Sequence, residues 1–503
     1  MDRMKFEGRR RHDLFYCKKE MPDCWRLCFH FYISFLTGIF TGQFFCQFTI
    51  KNVNKMKEEF PMKKKHNLGI EAVYDARTLG LPRMLVLGLQ HLFAMFGATV
   101  LVPILVQNYG LPLSIQTTLL FAGLGTLLFH VCTKFKVPAF LGSSFAFLGG
   151  FEAVAKLDVG KFATMTGEEK LPYALGGIVV AGCLYLILAL LFKLVGAQKV
   201  MRFFPPIVTG PIIILIGLNL SGTAINNAST CWWLALVAIA IIIVANIWGK
   251  GMVKIIPILL GVIGSYIVAL IAGKVDFTSV NGANIVGLQQ FVIAKFDLTS
   301  ILVMAPIAIA AMMEHIGDMS AISSTTGNNF IANPGLHRTL LGDGLATVVA
   351  GMFGGPANTT YGENTGVLAL TRVYDPAVIR IAAVFAIVVS FCPKFSALVS
   401  AMPTATIGGV SLVLYGMISA VGVRNVVENN VDFSNTRNII IAALILVLAI
   451  GITYTAPIKI GIVSFSGIAV GSIVGIALNA ILPGKDYEFV QEDKGSTSVD
   501  FKV

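Results

Sequence analysis

Four acidic residues lie within stretches of the chain that are otherwise apolar. Glu314 and Asp318 belong to the run Glu-His-Ile-Gly-Asp, Asp343 stands between two glycines, and Glu363 lies in a polar, glycine-containing segment. A charged side chain inside a membrane span costs about 2.5–3.5 kcal/mol on insertion scales, so each carboxylate needs a compensating role. Carboxylates at such positions can accept hydrogen bonds from N–H groups of a ligand, and they can bind and release a proton.

Each of these residues also has a structural interpretation. Asp318 would mark a membrane interface, and Asp343 would cap a helix or satisfy a buried hydrogen bond. His91, in another apolar run, would be a polar residue satisfied within a helix bundle. A structural role explains Glu314 and Glu363 least well, so these two residues are the first candidates for function.

The composition predicts a polytopic membrane protein. Of 503 residues, 55% are hydrophobic and only 13% are charged, which is more apolar surface than a soluble fold buries. The net charge of +11 does not indicate a nucleic-acid binder, because the first 83 residues hold 16 basic and 9 acidic residues and thus +7 of it. The eight cysteines are too dispersed for a disulfide scaffold. The sequence has no cluster of metal ligands, phosphate loop or Ser/His/Asp arrangement, so we expect no enzyme, metal or cofactor.

The apolar runs predict fourteen spans, each of about 20 residues. The runs are continuous rather than alternating, which favours an all-α fold over a β-barrel. Lys and Arg are more frequent in alternate loops, and this bias predicts that both termini lie on the cytoplasmic side of the cell membrane. The predicted spans are 84–106, 113–132, 138–155, 172–195, 204–222, 231–248, 253–273, 299–316, 338–355, 357–371, 376–392, 396–419, 437–453 and 457–482.

The two halves of the chain share landmarks. The separation from Pro82 to Pro138 is 56 residues, as is that from Ser300 to Pro356. Pro138 and Pro356 each open a polar, glycine-rich segment, in predicted spans 3 and 10, that does not suit an uninterrupted helix. Seven spans per copy is an odd number, so the two copies must be inverted in the membrane. Inverted repeats with broken spans are typical of transporters, whose half-helix N-termini hold a polar ligand. The alternative is that Pro and Gly only kink two packed helices.

Four motifs occur in order between about residues 80 and 485. The motifs are 90–99 (QHLFAMFGAT), 141–147 (LGSSFAF), 314–317 (EHIG) and 363–372 (ENTGVLALTR). In this order they resemble the nucleobase–ascorbate transporter family, and the first resembles its bacterial uracil-carrying members. The last matches the family signature of Gln or Glu, Asn-x-Gly, four residues, Thr and a basic residue.

The resemblance implies a fold of seven-plus-seven inverted spans, with short β-strands in the broken spans 3 and 10. It also implies a core domain of spans 1–4 and 8–11 and a gate domain of spans 5–7 and 12–14, with a homodimer formed through the gate. The ranges are 1–79 for an N-terminal extension that is disordered or follows a misplaced start, 80–203 and 297–393 for the core, 204–296 and 394–484 for the gate, and 485–503 for a polar tail.

The resemblance places the substrate between the two half-helices. For a flat base such as uracil, Glu314 and Glu363 would accept hydrogen bonds from N–H groups, and backbone amides near Phe145 and Gly362 would donate to the carbonyls. The Phe145 ring would cover the base, and Asn364 would brace the site. The expected substrate-binding residues are Glu314, Glu363, Phe145, Gly362, Asn364 and Ala98.

Desolvation at the membrane midplane would allow a carboxyl group to bind and release a proton near neutral pH. The expected proton-coupling residues are Glu314, Asp318, Asp343 and His91. Sodium coupling remains an alternative, since a cage of oxygen ligands is not recognisable from sequence.

The substrate has two main interpretations. Glu363 stands where xanthine and urate carriers of the family tend to have Gln, which favours uracil, whereas Asp318 is at a position that resembles the purine carriers. The leading expectation is a uracil importer coupled to protons, and the alternative is an oxopurine symporter. A more distant alternative is an anion exchanger of the same architecture, although Glu363 would repel an anion. No motif excludes a channel, but buried carboxylates suit a carrier better.

Residues 1–75 do not fit the family pattern. Residues 27–50 are apolar enough to span, but a fifteenth span would place eight basic residues outside, against the charge rule. The run is also too long for a secretory signal. We therefore expect a start site placed too far upstream, with Met56 or Met62 as the true start, and a disordered C-terminal tail.

Overall fold

The structure is a computed structural model that describes residues 72–484, apart from residues 159, 456–457 and 461–462. The apolar stretch 27–50, both suggested start sites and the predicted tail lie outside the described residues. Within them, fourteen helical or broken segments follow the order of the predicted spans. Seven helices of the described chain are long and apolar enough to cross a membrane, and a further pair, Pro376–Ser390 with Pro393–Ser400, is bent by 87°.

The segments are mostly single helices, and the third and tenth are broken. Spans 1 to 7 are Leu81–Asn108, Ile115–Cys132, strand β1 (Leu141–Ser143) with helix Phe145–Ala155, Gly167–Val195, Pro206–Ser229, Trp232–Ile247 and Pro257–Ile271. Spans 8 to 14 are Leu298–Thr326, Leu336–Met352, strand β2 (Asn358–Thr360) with helix Gly362–Thr371, Pro376–Ser390, Thr404–Glu428, Thr436–Tyr454 and Gly467–Ile481.

Side chains cap the start of many unbroken spans. Ser114 accepts a hydrogen bond from the amide of Thr117 at the start of span 2, and Thr166 forms a capping box with Glu169 at the start of span 4. Polar side chains cap further span starts in the same way, namely Asp297, Asp375, Asn435 and Ser466. Such caps satisfy amides that have no partner within the helix, so these span ends are set by local sequence.

Strands β1 and β2 pair in an antiparallel orientation at the centre of the fold. Leu141 pairs with Thr360 and Ser143 with Asn358. A threonine from the neighbouring span holds the start of each strand. Thr126 accepts from the amide of Leu141 at 2.9 Å and donates to its carbonyl at 3.2 Å.

Thr347 in span 9 repeats this arrangement for β2. It accepts from the amide of Asn358 at 3.1 Å and donates to its carbonyl at 3.2 Å. Spans 2 and 9 occupy equivalent places in the two halves, so the two threonines anchor the two strands in the same way. The anchors keep the backbone groups of irregular chain satisfied within the membrane, where no water is available.

The packing of the spans obeys an inverted repeat in which span 1 corresponds to span 8, span 2 to span 9, and so on. Span 4 packs on span 9, and the equivalent pair of spans 11 and 2 also packs. Three further contacts are repeated in the other half of the fold. Spans 1 and 11 pack, as do their equivalents 8 and 4. Spans 6 and 12 pack like spans 13 and 5, and spans 6 and 7 pack like spans 13 and 14. The predicted seven-plus-seven fold with strands in spans 3 and 10 is confirmed.

Close approach between spans 4 and 9, and between spans 5 and 12, depends on glycine. A Cβ built at Gly182 would lie 3.0 Å from the carbonyl oxygen of Gly344, and one at Gly344 would lie 3.1 Å from that of Gly182. Gly210 and Gly422 join spans 5 and 12 in the same reciprocal way, at 3.3 and 2.7 Å. Small residues at such contacts let the helix backbones touch, which is how helices associate where lipid provides no hydrophobic driving force.

Span 8 does not end at residue 316 as predicted. Its helix continues to Thr326, so Glu314 and Asp318 lie in its interior and Asp318 does not mark an interface. The polar residues near its end do not stop the helix, because their hydroxyls bond back to the preceding turn. Ser323 donates to Met319 at 2.6 Å and Thr326 to Ile322 at 2.9 Å.

Two other predicted starts are wrong. Span 12 begins at Thr404 rather than 396, because Pro403 cannot continue the preceding short helix Pro393–Ser400. Span 14 begins at Gly467 rather than 457. Strands β3 (Ile458–Ile460) and β4 (Val463–Phe465) pair in an antiparallel orientation before it. β-branched residues alternate there with polar ones, a strand pattern that the apolar composition conceals.

Residues 72–79, which we assigned to a disordered extension, are ordered. Val73 forms a parallel bridge with Val373, and Ala76 is fully buried and its amide donates to Asp375 at 2.8 Å. The ring of Tyr74 lies 5.5 Å from that of Tyr374. These contacts attach the segment before span 1 to the connection between spans 10 and 11, so the ordered chain begins earlier than predicted.

We predict that Thr347→Val destabilises the fold. Valine has the same shape but leaves the buried amide of Asn358 without this acceptor, which costs about 1–3 kcal/mol. The apparent melting temperature of the purified protein in detergent measures the effect. The matched control is Thr118→Val, because Thr118 bonds only to Ser114 of its own helix. Equal melting temperatures for the two variants would show that the strand does not need this anchor.

Candidate functional site

The two half-helices begin without a capping side chain. Ser144 precedes the first and Tyr361 the second, and neither side chain accepts a hydrogen bond from the helix that follows. The Ser144 Oγ atom is buried and has no hydrogen-bond partner in the described residues. The first amides of a helix point along its axis at the positive end of its dipole. Both starts can therefore donate hydrogen bonds to a ligand carbonyl.

Tyr361 joins the two broken spans, and the sequence reasoning did not single it out. Its hydroxyl donates to the carbonyl of Ser143 at 3.0 Å and lies 3.3 Å from the hydroxyl of Thr99. A Cβ at Gly142 would clash with the Tyr361 ring, so glycine is needed in β1 for this packing. The tyrosine thus fixes the start of the second half-helix against β1 and span 1.

Asp318 lies against the start of the second half-helix. Thr360, the last residue of β2, donates to Asp318 Oδ2 at 2.7 Å. Gly362 is exposed, and a Cβ at this position would lie 4.0 Å from Asp318 Oδ1. Glycine therefore leaves open space beside the carboxylate at the first turn of the half-helix.

The structure brings Glu314 and Glu363 to the same region, since the helix of span 8 packs against the half-helix of span 10. Both side chains are partly buried. The Oε2 atom of Glu314 is itself buried and has no hydrogen-bond partner in the described residues. An unpaired carboxylate oxygen in such a place is a free acceptor for a ligand N–H group.

Four carboxylates form an electrostatic cluster around Glu314, which lies within range of Asp318, Asp343 and Glu363. Asp318 also lies within range of Asp343 and Glu363. In the described part of the chain no lysine or arginine forms an ion pair with any of them. Nor does any group of three or more His, Cys, Asp or Glu there form a possible metal site. Uncompensated negative charge in a low-dielectric region is costly, so bound protons or N–H donors must offset it.

Asn364 braces the site through span 1. Its Nδ2 atom lies 3.0 Å from the carbonyl of His91 and 3.1 Å from His91 Nδ1. A carbonyl only accepts, so the amide nitrogen must face His91 and donate to both atoms. In this arrangement His91 Nδ1 accepts from Asn364, so His91 braces the site, and its role in proton coupling stays a prediction.

Phe145 is buried at the start of the first half-helix. Its ring lies 5.9 Å from that of Tyr415 in span 12, in an edge-to-face arrangement. Ala98 is fully buried in the apolar core beside Thr99 and presents no side-chain surface to a ligand. Of the predicted substrate-binding residues, Glu314, Glu363 and Gly362 keep accessible surface, whereas Ala98, Phe145 and Asn364 are buried.

Asp343 lies beside a histidine of span 8. It is fully buried in span 9, and its Oδ2 lies 2.9 Å from Nδ1 of His315, which is also fully buried. The sequence motif contained His315, but no role was assigned to it. Its neighbour Glu314 was the stronger signal, because a histidine in an apolar run is usually structural.

A cavity of about 830 Å³ opens beside the first half-helix. Its wall includes Ala146 and Gly150 of that half-helix, Val303 of span 8 and Ile468 of span 14. The ion pair between Lys161 and Asp297, at 2.8 Å, lies at its charged end and raises the pKa of the lysine through their hydrogen bond. Glu314 and Glu363 do not line this cavity, so it reaches the edge of the site and not its carboxylates.

Solved structures share the fold at low sequence identity. The transmembrane domain of the cyanobacterial bicarbonate transporter BicA matches with a TM-score of 0.51 and 15% identity, covering 81% of this chain and 99% of that one. The structure of SLC26A9 matches with a TM-score of 0.57 and 10% identity, covering 81% of this chain and 66% of that one.

Sequence relatives are much more similar. A uracil permease of Bacillus caldolyticus is 43% identical over 429 residues, which is 82% of this chain and 94% of the relative. The uracil permease of Escherichia coli strain K12 is 37% identical over 406 residues, or 78% and 90% of the two chains. The family model Xan_ur_permease, described as a permease family, matches residues 82–458. The chain therefore belongs to this permease family, the nucleobase–ascorbate transporters that its four motifs resemble.

Proposed function

We propose that this protein is a secondary active transporter that imports uracil together with a proton. The observation that carries the proposal is the uncapped start of each half-helix beside a cluster of carboxylates that pairs with no lysine or arginine of the described residues. Relatives that carry the name uracil permease at 37–43% identity support uracil as the substrate.

The chemistry of uracil suits this arrangement. The base has two ring N–H donors and two carbonyl acceptors around a flat ring. Glu314 and Glu363 would accept from the N–H groups, and the amides at Phe145 and Gly362 would donate to the carbonyls. The Phe145 ring, held edge-on by Tyr415, would cover one face of the base.

Glu363 favours uracil over an oxopurine. In the family signature this position carries Glu or Gln, and xanthine and urate carriers tend to have Gln. A carboxylate accepts at both oxygens, whereas an amide offers one acceptor and one donor, so the two residues match different base edges. The same carboxylate disfavours an anion exchanger, because it would repel an anion at the mouth of the half-helix.

The charge of the site supports proton coupling. Uracil is neutral and brings donors for only part of the four carboxylates. A proton taken up with the base would remove one buried negative charge during the crossing of the membrane. Sodium, which would need a cage of oxygen ligands that backbone carbonyls and hydroxyls can also provide, is the alternative coupling ion.

The predicted core and gate domains suggest how the substrate would be carried across the membrane. The cavity wall combines spans 3 and 8 of the proposed core with spans 5, 13 and 14 of the proposed gate. A core that slides along the gate would carry the half-helices from one side of the membrane to the other. We place the protein in the cell membrane with both termini in the cytoplasm, as a homodimer through the gate domain.

Uptake of labelled uracil into proteoliposomes tests the proposal. We expect accumulation driven by an inward proton gradient and abolished by a protonophore, with uracil competing better than xanthine. Uptake that survives the protonophore and follows a sodium gradient would contradict proton coupling. Xanthine uptake without competition by uracil would contradict the substrate.

Glu314→Gln should leave the protein folded in the membrane and nearly abolish uracil uptake. Glutamine keeps the shape but loses the charge-assisted hydrogen bond, which costs about 1.5–3 kcal/mol or roughly 10- to 150-fold in affinity. Uptake and the amount of protein in the membrane are measured together. The control is Glu428→Gln, since Glu428 lies on the surface in an ion pair with Arg424 and should not affect uptake. Normal uptake by the Glu314 variant would make this residue structural.

Glu363→Gln should weaken uracil binding much more than xanthine binding. An amide donor facing a base N–H leaves two donors unpaired, and buried unpaired groups reject a ligand strongly. Pocket volume hardly changes, so the variant need not gain xanthine transport. Competition assays with both bases on wild type and variant measure the change. If both bases lose affinity by the same factor, Glu363 contributes to binding but not to discrimination.

A further inference from the structure

His315 and Asp343 form a buried pair that substrate binding does not use. Both side chains have no exposed surface, and Nδ1 and Oδ2 approach to 2.9 Å. The geometry is not that of an aligned hydrogen bond. His315 Nε2 and Asp343 Oδ1 also have no hydrogen-bond partner in the described residues. A pair that served only to hold two helices together would be expected to have its polar atoms satisfied.

Charged and titratable groups on several of the described spans surround this pair. Glu314 and Asp318 lie on the same helix as His315, and Glu363 on the half-helix of span 10. Tyr185 of span 4 is fully buried within electrostatic range of Asp343, and its hydroxyl has no partner in the described residues. Spans 5 and 14, which also pack on span 8, contain no Asp, Glu, His, Lys or Arg in Pro206–Ser229 and Gly467–Ile481.

Span 2 completes the surroundings of the pair. The ring of Phe129 lies 6.3 Å from that of His315 in an edge-to-face arrangement, and His130 lies beside it. His130 is not part of the pair, and its Nε2 instead lies 3.0 Å from the carbonyl of Ala139. Arg338 of span 9 lies at the end of this interface, where it donates to the backbone carbonyl of Cys132 at 3.1 Å rather than to an acid.

We propose that the His315–Asp343 pair is where the coupled proton binds, an inference that rests on the proposed function. When His315 takes up one proton, the neutral imidazole becomes an imidazolium, and the net charge of the pair rises from −1 to 0. No other bond forms or breaks. Because Nδ1 and Oδ2 lie 2.9 Å apart, the two side chains would share this proton.

The pair would act on the substrate through charge. Glu314 lies within electrostatic range of Asp343 and must stay ionised to accept a hydrogen bond from the base. Neutralising the pair lowers the negative potential at Glu314 and so favours its ionised form. Proton binding therefore strengthens uracil binding, and by linkage uracil strengthens proton binding to the same extent. His315 thus acts through the charge of Glu314 and does not contact the substrate.

Two substitutions separate this role from a structural one. His315→Gln keeps a polar side chain beside Asp343 but cannot take up a proton, so the pair stays at −1. Asp343→Asn removes the negative charge, so the pair stays near 0 when His315 is neutral. The control is His130→Gln, which changes another fully buried histidine that lies outside the pair. Each variant is purified, and its dissociation constant for uracil is measured between about pH 5.5 and 8.5. This range extends about one unit below an ordinary histidine pKa and about two units above it.

We expect wild type and His130→Gln to bind uracil more tightly as pH falls. His315→Gln should bind with the weak affinity of wild type at high pH, and Asp343→Asn with the tight affinity of wild type at low pH. Both pair variants should lose the pH dependence that wild type shows. In proteoliposomes, uracil–uracil exchange should continue in both, while a proton gradient should no longer increase accumulation.

Pair variants that keep the wild-type pH profile, or a wild type whose affinity does not change with pH, would overturn this inference and leave uracil transport standing. A wild type that binds no uracil at any pH would contradict the proposed function itself. A variant that does not fold is recognised by its melting curve, and the opposite shift expected for the other variant still decides the question.

Discussion

The antiparallel pairing of β1 with β2 is the constraint on which the site depends. Two short strands meet in the interior of a helical membrane protein, and each ends where a half-helix begins. Because the strands run in opposite directions, the half-helices point their starts toward a shared region from opposite sides. Thr126 and Thr347 keep the irregular backbone satisfied, and Tyr361 ties the second half-helix to β1. Without this crossing, two uncapped helix starts would not meet inside the membrane.

The two halves of the site are related by symmetry in backbone but not in chemistry. Four residues after each strand begins, the first half presents the Phe145 ring and the second presents Gly362. The hydroxyl that ends β1 bonds to a carbonyl of span 1, whereas that of Thr360 bonds to Asp318 of span 8. One half therefore provides an apolar cover, and the other provides open space and negative charge. This division suits a flat, polar-edged ligand better than a symmetric site would.

Much of this arrangement could be predicted from sequence, because long apolar runs and proline-glycine breaks dominate the local energetics. The carboxylates and the strand-to-helix segments are recognisable in the sequence, because charged and polar residues are costly inside a membrane and therefore rare in apolar runs. Contacts that depend on tertiary packing were not found. The pairing of His315 with Asp343 and the brace between Asn364 and His91 join residues far apart in the chain. The β3–β4 hairpin was missed because its composition is as apolar as a span.

The central claim is that the two carboxylates flanking the half-helices accept the ring N–H groups of the base. Binding of uracil and of its N1-methyl and N3-methyl derivatives to the purified protein tests this claim directly. Each methyl group removes one donor and leaves a buried acceptor unpaired. We predict that either derivative loses at least the roughly tenfold affinity that corresponds to one hydrogen bond to a charged group. Binding of both derivatives with the affinity of uracil would contradict the account.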